Sequence, residues 1–147
     1  MKGSFDVITL SHVLEHVPDP GTTLMQLREL LRGGGHLYID TPNIDAIGHE
    51  VYGRYWQGLD VPRHLSVLSQ RALVDLLGKT EMTNISFLTR ANVLLEIARK
   101  SARMKLGFSP YDEKVNQGLM LPSAWQRRRS RLSPDRAEFS TLVCRKA

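Results

Sequence analysis

Apolar positions along this chain switch between the spacing of a buried strand and that of an amphipathic helix. Residues 5–10 (FDVITL) are apolar apart from Asp6 and Thr9 and rich in β-branched side chains, as in a strand buried on both faces of a parallel sheet. Asp19 precedes Pro20, an N-cap followed by proline at the first helical position. Leu24, Leu27, Leu30 and Leu31 then mark one helical face until Gly33, Gly34 and Gly35, which we expect to end the helix as its C-cap. Residues 36–40 (HLYID) read as a second strand, stopped at Pro42 because proline has no N–H for the ladder. Strand, helix and strand within about thirty-five residues make a right-handed βαβ unit, so the sheet is expected to be parallel here.

Between residues 43 and 69 the period is lost in an aromatic, glycine-containing stretch, and a long loop in a compact domain is usually functional or mobile. Ser69 then caps a helix carrying Ala72, Leu73, Leu76 and Leu77 and stopping at Gly78, and residues 84–89 (NISFLT) form another strand. Residues 92–106 predict an amphipathic helix with Leu95, Ala98 and Ala102 on one stripe. A basic excursion follows within residues 99–136, and residues 138–145 (EFSTLVCR) close the chain as a strand placed to pair antiparallel beside residues 84–89. Residues 1–147 are expected to make one domain.

Composition narrows this reading without changing it. With 147 residues, 41% apolar and 24% charged, the chain is ordinary for a globular domain. No apolar run approaches the roughly eighteen residues of a membrane span, and the N-terminus lacks the zones of a signal peptide, so a cytoplasmic location is expected. The single cysteine, Cys144, has no internal partner and sits in an apolar stretch, which suits a packed thiol. The net charge of +5 is concentrated in "RKSARMK" and "RRRSR", so any attraction to polyanions is local.

The stretch "FDVITLSHVLEHVPDPGTTLMQLRELLRGGGHLYIDTPN" resembles the second half of a class I S-adenosylmethionine-dependent methyltransferase, in which the fourth strand enters a "LEHV.D" turn and "L.PGG.L.I..PN" leads into the fifth. "YWQGLDVPRHLSVLSQRALVDLL" is similar to a further stretch of small-molecule methyltransferases, many of them associated with glycan and cell-surface biosynthesis. The resemblance implies an α/β Rossmann-like sheet of order 3-2-1-4-5-7-6, of which this chain supplies strands 4-5-7-6 with flanking helices. It also implies S-adenosylmethionine as cofactor, held chiefly by a glycine-rich turn after the first strand and an acidic residue ending the second. Neither has a counterpart before Phe5. Gly33, Gly34 and Gly35 do not substitute, because they follow a helix and precede a strand, the reverse of a turn whose free N–H groups cradle a ligand. What the resemblance leaves for the cofactor is the rim after the first strand here: Leu10, Ser11, His12 and Val13.

If "SHVLEHV" forms a helical turn, His12, Glu15 and His16 stand at i, i+3 and i+4 on one face. With His64 they form a candidate divalent-metal set, resembling the E-x-x-E-H plus distant histidine site of metal-dependent RNA 2′-O-methyltransferases that modify small-RNA ends. Here His12 replaces the first glutamate. The plainer alternative has Glu15 and His16 capping the turn while His64 anchors the loop. His16 and His64 are the candidate catalytic bases, since an ordinary imidazole accepts a proton near neutral pH and methyl transfer to oxygen needs a deprotonated acceptor. Tyr52, Tyr55 and Trp56 either cover a sugar or ring substrate or form a small satellite core.

The leading function is therefore methyl transfer to a small-molecule or glycan acceptor when the fold is complete, with this chain a truncated form that is inactive alone. The competing reading is a non-catalytic remnant or binding module that has lost the cofactor site. Arg127, Arg128, Arg129 and Arg131 beside Trp125 offer contact with nucleic acid or an acidic membrane surface, although such a run is more often a solvated face. An apolar strand edge left open along residues 5–10 predicts a homodimer.

Overall fold

A computed structural model describes residues 2–147. The strands are β1 (Phe5–Ser11), β2 (Leu31–Pro42), β3 (Met82–Phe87) and β4 (Phe139–Lys146). They form one sheet in the order β1-β2-β4-β3. β1 and β2 are parallel, with Leu10 opposite Ile39 and Ser11 opposite Asp40, and β4 runs antiparallel to both β2 and β3. The mixed sheet thus has the expected 4-5-7-6 order, the last strand inserting between its two predecessors.

The helices are α1 (Pro20–Leu30), α2 (Ile47–Tyr52), α3 (Gln70–Lys79), α4 (Leu94–Lys105) and α5 (Ala124–Leu132). Both predicted caps form: the Asp19 carboxylate accepts from Thr22 N–H at 3.2 Å, and Ser69 Oγ from Ala72 N–H at 3.1 Å. Hydrogen bonds from the Thr22 side chain and backbone hold the Asp19 carboxyl below its ordinary pKa.

Five expectations need correction. Residues 43–69 are not an irregular loop, since they contain α2 and the 3-10 turns Gly53–Tyr55 and Gln57–Leu59. β1 is not buried on both faces: among its residues only Leu10 is buried, because it is the edge strand of the sheet. α1 ends at Leu30, and Leu31 is already extended (φ −67°, ψ 140°), so the glycine triplet is not a C-cap. It lies inside β2, where the register with β1 slips between Phe5 and Val7 and Gly34 takes φ 77°, a conformation that favours glycine. The buried stripe of α4 is Leu94, Ile97, Ala98, Ser101 and Ala102, while Leu95 is only half-buried, because the helix packs against α2 and not along the expected line. The basic excursion is also not wholly irregular. Ser123 and Gln126 form a capping box that starts α5, and the Arg103 guanidinium is buried, donating to the carbonyls of Val115 and Pro110 and to Asn116 Oδ1.

Two apolar clusters hold these elements. Leu37, Ile39 and Leu142 of the sheet pack with Leu24 of α1 and Leu73 and Leu77 of α3. Tyr52 and Trp56 pack with Ile97, Ala98 and Ala102 of α4. The outer edge of β1 has no strand partner among the described residues, and Val7 on it is 57% exposed. No described helix is long and apolar enough to cross a membrane.

Candidate functional site

The C-terminal ends of β1 and β2 form a rim on which the polar side chains converge. His12 leaves β1 with φ 53°, a left-handed conformation unusual for a side chain of this size, and its N–H donates to the Asp40 carbonyl at 2.9 Å. A short 3-10 turn (Leu14–His16) follows and sinks Glu15 to zero exposure. The Glu15 carbonyl accepts from the N–H groups of Leu65 and Ser66, tying this turn to the segment that carries His64. On its side chain, Oε2 accepts from Thr41 Oγ1 at 2.9 Å. Oε1 has no hydrogen-bond partner, and lies 3.3 Å from His12 Nδ1 and 4.0 Å from His64 Nε2.

His16 and His64 face each other edge to face, ring centroids 4.7 Å apart. Nδ1 of His16 meets the Arg63 carbonyl at 2.9 Å and Nδ1 of His64 the Gly58 carbonyl at 2.7 Å. A carbonyl can only accept, so in each neutral ring Nδ1 carries the hydrogen and Nε2 is left with a free lone pair. One ligand atom from each of Glu15, His16 and His64 lies within 4.8 Å of the others. His12 reaches Glu15 from the other side without joining that trio. All three histidines line a cavity of about 360 Å³ with Gly58, Asp60 and Arg90.

Asp40, at the end of β2, is a second buried carboxylate. Oδ1 accepts from Thr141 Oγ1 at 2.7 Å, Oδ2 pairs with the Arg90 guanidinium, and His12 Nε2 is 3.7 Å away. Arg90 also stacks 4.3 Å over the Phe139 ring. Arg90, Val93 and Phe139 separate the rim cavity from a second one of about 380 Å³, lined by Phe87, Leu88 and Ala137 and lacking the histidines. The sequence pointed to neither Asp40 nor Arg90. The available signal was a carboxylate closing an otherwise apolar strand.

Of the residues expected at the cofactor, Leu10 is buried in the core, and Ser11, His12 and Val13 are exposed on the rim. Tyr52 and Trp56 are 3% and 1% exposed, so they are core and do not cover a substrate, while Tyr55 is half-buried. On α5, Arg129 pairs with Glu50, as Arg136 does from the following turn, whereas Trp125 is 64% exposed. Glu138 is a further buried acid that the sequence did not single out. It accepts from Trp56 Nε1 at 2.7 Å and Gly48 N–H at 2.8 Å, and burial, against those two bonds, pushes its pKa up to about 7.

The family profile described as a methyltransferase domain matches residues 1–86. A ubiquinone biosynthesis O-methyltransferase of Ralstonia nicotianae is 46% identical over 44 residues, 30% of this chain and 18% of that protein. The corresponding protein of Marinobacter nauticus is 42% identical over 41 residues, 28% of this chain and 17% of its own length. An S-adenosylmethionine-dependent methyltransferase of Thermotoga maritima, described as a possible histamine N-methyltransferase, superposes with a TM-score of 0.57 at 14% identity, over 99% of this chain and 57% of that one. Phosphoethanolamine N-methyltransferase 2 of Haemonchus contortus, solved with S-adenosylmethionine, gives 0.58 at 16% identity over 99% and 34%. At these identities the superpositions establish the fold alone, and this chain spans less than two thirds of the proteins it matches.

Proposed function

This chain belongs to the methyltransferase-domain family, and we propose that it forms the acceptor side of an enzyme moving a methyl group from S-adenosylmethionine to a hydroxyl of a small-molecule or glycan acceptor. The observation that carries this reading is the pair of imidazoles on the rim. Backbone carbonyls hold the Nδ1–H of His16 and His64, leaving an Nε2 lone pair on each ring, that of His64 4.0 Å from the buried Glu15 carboxylate. S-adenosylmethionine supplies a methyl on a sulfonium centre. Nε2 of His64 or His16 would accept the proton that the acceptor hydroxyl must lose for methyl transfer to oxygen. Of the cofactor site, the exposed Ser11, His12 and Val13 fit one wall. No strand-to-helix turn among the described residues contains a glycine, so the residues present fit that wall and not the rest.

Labelled-methyl transfer to phenol, catechol and sugar hydroxyls by the full gene product tests the proposal. His16→Ala or His64→Ala should slow it about a hundredfold. Unaltered transfer in both variants would overturn the base assignment, and transfer to nitrogen or carbon acceptors alone would overturn the acceptor class. Calorimetry of this chain with S-adenosylmethionine addresses the reading of it as a partial domain. The expected result is no saturation at micromolar cofactor, and saturable binding would mean that the rim holds more than one wall.

The orphaned Glu15 Oε1 favours a second reading of the same cluster, a divalent metal held by Glu15, His16 and His64 with His12 at its edge. The donors fit such an ion. A carboxylate oxygen and two Nε2 atoms are free, and the opposite ring nitrogens are fixed by carbonyls as metal-ligating histidines usually are. Mn²⁺, Co²⁺ or Zn²⁺ should then raise the melting temperature of the wild type and not that of the combined His16→Ala, His64→Ala protein. Identical melting curves with and without all three metals would remove this reading.

A further inference from the structure

Glu138 stands at the entrance to β4, 2% exposed, with a carboxylate that the proposed transfer does not use. Its two oxygens take the N–H of Gly48 in α2 and the indole N–H of Trp56. Both approaches are close. A Cβ on Gly48 would fall 2.5 Å from the carboxylate and 2.7 Å from the indole nitrogen, so only glycine fits there. The indole is the bed for Gly58: a Cβ on that residue would run into the six-membered part of the Trp56 ring. The carbonyl of Gly58 in turn holds Nδ1 of His64 at 2.7 Å. A series of direct contacts therefore runs from Glu138 through Trp56 and Gly58 to the imidazole, all of it buried or nearly so.

We propose that Glu138 is a positioning residue for His64, fixing the plane of Trp56 and thereby the carbonyl that holds the imidazole with Nδ1 protonated and Nε2 free. An apolar pocket alone would allow the indole to tilt; two acceptors on one buried carboxylate define both its N–H direction and its distance from α2. His16 has no part in this series, because its Nδ1 is held by Arg63. The inference rests on reading His64 as the proton acceptor, and its test reads the ring itself and not the reaction.

The experiment is NMR of the histidine ring nitrogens in the wild type, Glu138→Gln and Trp56→Phe. Glutamine offers one acceptor and turns an NH₂ group toward the other donor, whereas phenylalanine removes the indole N–H together with part of the ring that underlies Gly58. In both variants the separated shifts of His64 Nδ1 and Nε2 should drift toward a common averaged value as the tautomers mix, while His16 keeps its wild-type shifts. Where Glu138→Gln unfolds, Trp56→Phe still tests the part of the series that runs from Trp56 through Gly58 to His64. Wild-type His64 shifts in either folded variant would overturn the proposal, as would equal changes at His16 and His64, which would indicate general loosening. If His64 alone changes and methyl transfer does not slow, the positioning stands and the base assignment falls.

Discussion

Replacing Glu138 by glutamine should change how stability depends on pH. Burial lifts this acid from 4.5 to about 7 in the folded chain, against the bonds from Trp56 and Gly48 that favour its ionised form. Between those values the folded protein retains a proton that the unfolded chain has released, so stability falls as pH rises through that window and levels off above it. At about 1.4 kcal/mol per unit, the loss is about 3 kcal/mol. The facing groups do not mask it. Tyr52 is pushed up to about 12, first by burial and then by Glu138, and stays neutral throughout. Urea unfolding of wild type and Glu138→Gln at pH 5 and pH 8, at constant ionic strength, reads the effect. The gap between them should move by about 2 to 3 kcal/mol in favour of glutamine on going to pH 8, since at pH 5 the unfolded acid is already mostly ionised. Parallel profiles would refute the reasoning. The sign also means that ionised Glu138 lowers global stability while fixing Trp56, a trade expected where a buried charge serves a site.

Three further outcomes follow from packing. Leu37→Ala, at a fully buried position of β2, should cost about 2–5 kcal/mol in denaturant unfolding; a cost near zero would mean that the first cluster is not the core. Cys144, whose thiol burial pushes up to about 11, should resist alkylation at pH 8 until denaturant is added. With its apolar outer edge open, β1 should pair with a second copy, so the chain should sediment as a dimer at low micromolar concentration and Val7→Lys should shift it to monomer; a wild-type monomer would exclude that pairing.

Local signals carried much of the fold. Asp19 before Pro20 and Ser69 before a leucine face define helix starts within one turn, and the β-branched run at Val7 and Ile8 could only be a strand, because caps and periodicity act over a few residues. The same locality explains the failures. Three glycines after a leucine face suit a C-cap and a strand irregularity equally, and pairing with β1 decides between them. Ser123 with Gln126 was a legible capping box, hidden by the arginines that follow it. At the site, the spacing placed His12 and His16 beside Glu15, but only residues 14–16 form the expected helical turn, and His12 stands outside it in a left-handed conformation. Only the tertiary structure decided that Glu15 would lose all contact with water, that Arg63 and Gly58 would choose the tautomers of His16 and His64, and that Glu138 would meet Trp56 across 82 positions of chain. Burial and hydrogen-bond partners are properties of the packed molecule, so no spacing along the chain encodes them.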